Sequence, residues 1–268
     1  MTIRVLSWNI NSVRLRIDSL LKIIKNYQPN IVCLQETKCP NDKFPYEILA
    51  SAGLENIHSN GIKGYHGVCI ATNLPVESFK KKNFCKKEDG RHLSVTVNVK
   101  NKLLTVHNFY VPAGGDEPDP VINKKFKHKL DFLDEATQWF SSMRDRGRLM
   151  ALVGDLNIAP HENDVWSHKQ LLKIVSHTAL EIERLNSLQS SYGFIDSIRS
   201  FHPYTKKLYS WWSYRSKNWE DSNRGRRLDH IWASQELNKL IKSVSIEKSI
   251  RGWERPSDHV PLIADFEI

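Results

Sequence analysis

The feature that constrains this chain most is a recurrence of short apolar runs, rich in β-branched residues, that stop on polar side chains. IRVLSW, IVCLQ, GVCIAT, HLSVTVNV, LLTVHNFYV, RLMALVGDL, RRLDHIWA, KSVSIEK and VPLIADFEI all have the composition of strands buried on at least one face. Helical spacing intervenes between some of them. Val13, Ile17, Leu20, Leu21 and Ile24 share one helical face, as do Phe126, Leu130, Leu133, Thr137 and Phe140, and a third helix is predicted across Leu180, Leu185 and Leu188. Strands outnumber helices, so one alternating parallel sheet fits poorly. The expected class is α/β: two sheets packed as a β-sandwich and flanked by helices, in four layers αββα. No linker, repeat or low-complexity tract breaks the chain, and its 268 residues, 40% of them apolar, can bury a core as a single domain over 1–268.

The polar residues that end the runs matter as a set. VLSWNIN delivers Asn9 and Asn11, IVCLQE delivers Glu36, LLTVHNFY delivers Tyr110, LMALVGDLN delivers Asp155 and Asn157, and RRLDH delivers Asp229; near the chain end SDH adds Asp258 and His259. Any one of these alone more often caps a strand or opens a turn. Strands that end on one rim would gather them into a single polar pocket. Glu36 with amide oxygens and water suits Mg²⁺. Zinc fits less well, because His161 and Glu162 are not completed as HExxH. GxxxxGK[ST] and GxSxG are both missing from the sequence. A His, carboxylates, amides and a Tyr around a metal match attack of water on a phosphate ester.

Charge agrees with such a substrate. The net charge of +9 and pI near 9.3 favour polyanionic partners. The stretch YSWWSYRSKNWEDSNRGRR (209–227) interleaves Trp211, Trp212, Tyr214 and Trp219 with Arg215, Lys217, Arg224, Arg226 and Arg227, as nucleic-acid surfaces do. Lysine groups at 80–82 and 86–87, and at 124, 125, 127 and 129, could touch phosphates but read equally as solvated faces. PAGGDEPDP (112–120) and residues 204–226 are expected loops. Cys33, Cys39, Cys69 and Cys85 form no CxxC pair, and no signal or transit segment and no membrane span is expected, so the chain is predicted to be cytoplasmic, nucleoid-associated in a bacterium, and a monomer.

WNINSVR, QETK, FYVP, GDLNIAP, RRLDH and SDHVP together resemble, in order and spacing from Ile3 to Phe266, the exonuclease III family of apurinic/apyrimidinic endonucleases within the endonuclease/exonuclease/phosphatase superfamily. The resemblance implies a two-sheet sandwich, dependence on Mg²⁺ with Mn²⁺ as a substitute, and action on double-stranded DNA at abasic sites or blocked 3′ ends. It implies that Glu36, with Asn11 and Asp258, serves the metal, and that Asn9 holds the site in register. It further implies that Asp229 orients His259, Asp155 positions or activates water, Asn157 contacts phosphate, and Tyr110 stabilises the phosphate or leaving oxygen. Arg14, Arg215 and Arg224 would contact DNA, while Trp211, Trp212 and Leu228 would wall a pocket for an extruded abasic sugar. The sequence departs from the family at Ser12 and Val13, where Gly-Leu is common, at Ala113, where an amide is common, and at Arg226, where the family carries an apolar residue. Two further readings stay open: the same scaffold acting on a non-DNA phosphate ester, and a non-catalytic DNA-binding relative.

Overall fold

The computed structural model describes residues 1–143, 147–216 and 218–268. In chain order the strands are β1 (Thr2–Asn9), β2 (Ile31–Gln35), β3 (Asn56–Asn60), β4 (Val68–Thr72), β5 (Val76–Lys80), β6 (His92–Val99), β7 (Lys102–Tyr110), β8 (Leu149–Asp155), β9 (Ile195–Asp196), β10 (Trp211–Trp212), β11 (Gly225–Arg226), β12 (Asp229–Ala233), β13 (Ile241–Ile246) and β14 (Leu262–Glu267). The helices are α1 (Ile17–Tyr27), α2 (Tyr46–Ser51), α3 (Lys124–Ser141), α4 (His168–Leu171), α5 (Ala179–Tyr192), α6 (Ser197–Phe201), α7 (Trp219–Ser222) and α8 (Gln235–Asn238).

Two six-stranded sheets result, ordered β13-β14-β1-β2-β4-β3 and β5-β6-β7-β8-β12-β9. Their inner strands are buried on both faces, and the period-2 alternation of side chains assigns each residue to a layer. Val5, Cys33, Ile70 and Phe266 of the first sheet meet Val95, Val106, Val153 and Ile231 of the second in the central core. The alternate residues Leu6, Trp8, Val32, Leu34 and Cys69 face outward onto Leu20, Ile23 and Ile24 of α1. On the far side Phe109, Leu152 and Trp232 pack against Phe132, Phe140, Leu185 and Leu188 of α3 and α5. The four expected layers are therefore present.

Strand direction decides where the site forms. β1 and β2 run parallel, as do β7 and β8, so Asn9, the residue after Gln35, Tyr110 and Asp155 all emerge at C-terminal ends. β12 runs antiparallel to β8, and Asp229 pairs with Asp155. This corrects the expectation for RRLDHIWA: Asp229 begins its strand instead of ending one. The residue before Asp155 must be glycine. Gly154 has φ 132, and a Cβ there would sit 2.0 Å from the Phe109 carbonyl oxygen of the neighbouring strand.

Other local expectations change. Val13 precedes α1 and packs under it, so that helix starts later than the apolar spacing suggests. The 204–226 segment is not wholly loop, since it contains β10, β11 and α7. The closing strand begins at Leu262, three residues after His259, so His259 is held by a bridge to Trp211 instead of by the strand itself. Lys217 lies outside the described residues.

Candidate active site

The sequence-selected polar residues converge at one rim between the two sheets. Asp229 is fully buried, and its Oδ2 accepts from His259 Nδ1 at 2.8 Å and from Ser210 Oγ at 2.6 Å. That contact orients the imidazole and leaves Nε2 facing Asn9 Nδ2 at 3.4 Å and Asp155 Oδ2 at 3.8 Å. Asn9 is the hub. Its Nδ2 donates to Glu36 Oε1 at 3.0 Å and Asp155 Oδ2 at 2.9 Å, while its Oδ1 accepts from the Asn11 amide. Asp155 also accepts from the Asn157 backbone at 2.9 Å and from Asn157 Nδ2 at 3.1 Å, and the same Nδ2 reaches the Val111 carbonyl. Both amide hydrogens of Asn157 are thus engaged inward, which turns its Oδ1 away from these partners.

The backbone bends to achieve this. Asn11, Glu36 and Asn157 adopt φ of 47°, 49° and 54°, the left-handed region, within two residues of the ends of their strands. For Glu36 this conformation costs on the order of 1 kcal/mol, and it is held by Ser12 and Val13, whose amides donate to the Glu36 and Thr37 carbonyls. Ser12 itself has φ 89, the conformation that glycine adopts freely.

Electrostatics separates the titratable groups. Burial pushes the Asp155 carboxyl up, as do Asp229 and Glu36; His259 and the Asn9 hydrogen bond oppose them, and the result is about 7. Burial works against charge on His259, but Asp229, Asp155 and Asp258 overcome it and carry the imidazole to about 10. His259 is therefore a cation at neutral pH. Burial, with Glu36 and Asp155 nearby, pushes the Tyr110 phenol well above its usual range, which keeps it a neutral donor. Burial would raise Glu36 too, yet Asn9 and Lys38 hold it below its ordinary value.

Ligand atoms of Glu36, Asp155 and His259 lie within 4.8 Å of one another. Beside them the Lys38 ammonium bridges Glu36 Oε2, at 2.9 Å, and Asn11 Oδ1. A cation already suits the space between those two oxygens, and an anionic and an amide oxygen are a donor set for a hard divalent ion. Asp258 is set differently. Its Oδ1 accepts from Asn11 Nδ2 and its Oδ2 from Trp211 Nε1, both at 3.0 Å, so the carboxylate acts here as a brace between the Asn11 turn and the Trp211 strand.

The site opens into a cleft of about 920 Å³ lined by Glu36, Tyr110, Asn157, Asp258 and His259 at one end and by Trp166, Trp211, Arg215, Arg224, Arg226 and Leu228 along its wall. The WW pair separates. Trp211 faces the cleft, whereas Trp212 is buried against Tyr209, Trp219 and Val260 and donates to Asn223 Oδ1. Trp212 is therefore core and not a cleft wall. Arg14 is exposed and lies outside the cleft lining; the arginine that its segment commits to structure is Arg16, which donates to the Ile10 and Pro256 carbonyls and to Tyr214. Lys127 pairs with Asp131 on the surface, whereas Lys129 is buried against Glu181 and is not free for phosphate.

Sequence reasoning missed Ser210, Ser257, Arg91 and Trp166, and it read Lys129 as a phosphate contact or a solvated face where the structure buries it against Glu181. Ser257 Oγ donates to the Asn9 carbonyl at 2.7 Å and accepts from the His259 amide at 3.2 Å, and Arg91 donates to the Tyr110 carbonyl and lies 4.8 Å from its ring centroid. A usable signal existed for Ser257 alone, which adjoins Asp258 in SDH.

Comparison with known proteins fixes the relationship. The pattern of the Endonuclease/Exonuclease/phosphatase family matches residues 6–259. The chain belongs to the endonuclease/exonuclease/phosphatase family. Exodeoxyribonuclease III of Haemophilus influenzae is 34% identical over 271 residues, spanning 98% of this chain and all of that protein. The structure of an AP endonuclease from Archaeoglobus fulgidus superposes with a TM-score of 0.90 at 29% identity, over 99% of this chain and 100% of the other. The structure of the 3′ phosphatase NExo from Neisseria, bound to a product DNA hairpin, gives 0.88 at 27% identity, again over 99% and 100%. Within the family the chain is a DNA-repair phosphodiesterase of the exonuclease III type. No helix among the described residues is long and apolar enough to cross a membrane.

Proposed function

We propose that this enzyme hydrolyses the phosphodiester 5′ to abasic sites in double-stranded DNA and clears blocked 3′ ends, with Mg²⁺ as its ion and Mn²⁺ able to replace it. The observation that carries the reading is the convergence of Glu36, Asp155 and His259 at the mouth of a Trp- and Arg-lined cleft, with Asp229 behind the histidine. Glu36 and the Asn11 amide oxygen would hold the ion, which supplies charge for a phosphate oxygen.

The chain's own groups account for the remaining chemistry. His259, kept cationic by Asp229, donates from Nε2 to a phosphate oxygen. Asp155, its carboxyl pushed up from the ordinary range by burial and by Asp229, accepts a proton from the attacking water. The water oxygen bonds to phosphorus as the bond to O3′ breaks; O3′ leaves as an alkoxide that takes its proton from solvent, and the neutral Tyr110 phenol donates a hydrogen bond to that developing charge. Asn9 keeps Glu36 and Asp155 in register beside His259. Four free cysteines, two of them on buried strands, accord with action in the cytoplasm.

A duplex carrying one synthetic abasic site should be nicked in Mg²⁺ and spared in EDTA, and a nick bearing a 3′-phosphate should be converted to a 3′-hydroxyl. Equal cleavage in EDTA would sink the metal assignment. No turnover of either DNA would favour a non-catalytic relative.

A further inference from the structure

Arg226 sits on β11 directly opposite Trp211 of β10, with its guanidinium 5.4 Å from the indole centroid. Its Nη1 donates to the Val175 carbonyl at 2.9 Å and to Ser176 Oγ at 2.7 Å. Those two bonds consume both Nη1 hydrogens and fix the plane of the group. Among the described residues the donors on Nε and Nη2 have no protein partner, and Nε is buried. The side chain lines the cleft beside Leu228.

Local charge is also unbalanced. Glu181 is the carboxylate that faces Arg226, and it is already paired with the buried Lys129. Among the described residues Arg226 makes no ion pair of its own, so its guanidinium stays unpaired in a partly desolvated place. An unpaired charge there is costly until an anion arrives.

We propose that Arg226 is a specificity-determining residue that favours 3′ ends whose blocking group carries its own negative charge beyond the bond to be cut: the extra oxygen of a 3′-phosphate, or the carboxylate of a 3′-phosphoglycolate. This rests on the reading of the site as one for abasic and blocked DNA. With phosphorus held at Glu36, Asp155 and His259, whatever is attached on its far side extends into the cleft. For an abasic nucleotide that group is a neutral deoxyribose, which an apolar wall suits and a guanidinium does not. For the two blocked ends it is an anion, which a fixed guanidinium with an unspent Nη2 group matches. The bond that breaks is the same in all three substrates, between phosphorus and O3′, so Arg226 acts on selection and not on bond making.

The test compares wild type, Arg226→Leu and Arg226→Lys on three DNAs in Mg²⁺: one nicked duplex ending in 3′-phosphate, the same nick ending in 3′-phosphoglycolate, and an intact duplex with a tetrahydrofuran abasic analogue. In R226L the ratio of kcat/KM on either charged end to kcat/KM on the analogue should fall about tenfold or more, chiefly through KM. R226K, which keeps the charge without the fork, should fall by less. An unchanged ratio overturns the proposal, and so does an equal loss on all three DNAs, which would make Arg226 a structural clamp. Should R226L fail to fold, as read by its melting curve, the ratio in R226K decides, because a loss of selectivity there supports the proposal and its full retention refutes it. Wild type inactive on every DNA would instead overturn the functional reading itself.

Discussion

The pairing of His259 with Asp229 shows how a single residue is given its state. Burial alone would leave the imidazole neutral, yet Asp229 at 2.8 Å and two more carboxylates carry it to about 10. Because the folded value lies above the ordinary 6.5 of histidine, the charge is present throughout the neutral range. Asp229→Asn keeps the volume and the bond to Ser210 but removes the anion that holds this cation. Its kcat should fall by about a hundredfold or more in single-turnover incision, with KM little changed. A rate near that of wild type would show that Asp229 does not set the histidine. At this scale much was legible: Asn9, Glu36, Tyr110, Asp155 and His259 each follow or approach an apolar run, and the structure brings them to one rim. Ser210 and Arg91 were not legible, because an isolated polar residue carries no mark of a partner that lies far away in sequence, 19 residues away in both cases.

Elements position these residues through contacts that periodicity does not reveal. α3 and α5 are joined by Lys129 and Glu181, both fully buried. The Lys129 ammonium donates to Asn157 O at 2.8 Å and Ala113 O at 3.3 Å, and Glu181 accepts from the Ser176 and Thr178 amides. One ion pair thereby fixes the Asn157 turn, the loop after β7 and the Ser176 segment that clamps Arg226. Lys129→Met strands a buried carboxylate and should cost about 3–5 kcal/mol in chemical denaturation. Lys129→Met with Glu181→Leu should recover most of that loss while incision stays well below wild type, since the turn has lost its donor. Full recovery of both would reduce the pair to a stabilising contact. Lys129 reads in the sequence as one more surface lysine, and only the packing of α3 shows otherwise. β3 and β5 escaped notice for a related reason. Both are edge strands, and β5 is largely exposed and ends on a lysine, a composition that discourages edge pairing and also hides the strand signal.

At the scale of the whole molecule, two parallel strand pairs in different sheets release their C-terminal residues toward one rim, and the antiparallel β12 returns Asp229 to it. The sandwich was legible from short strands that outnumber helices, whereas the direction of β12 was not, because an apolar run looks alike read from either end. The rim faces a cleft bearing Arg215, Arg224 and Arg226 on a chain of net charge +9. Phosphate contacts should therefore supply much of the affinity, and affinity should carry the salt dependence of counterion release. For about five neutralised phosphates, duplex binding in EDTA should weaken about 500-fold between 50 and 200 mM salt. Arg215 and Arg224 are exposed on the cleft wall, and Arg224 also lies 4.7 Å from the Trp166 ring centroid. Arg215→Gln with Arg224→Gln should lower the log–log slope by about 2, as read by fluorescence anisotropy across a salt series. A slope unaltered by both changes would place the phosphate track elsewhere on this basic surface, away from the wall that leads to His259.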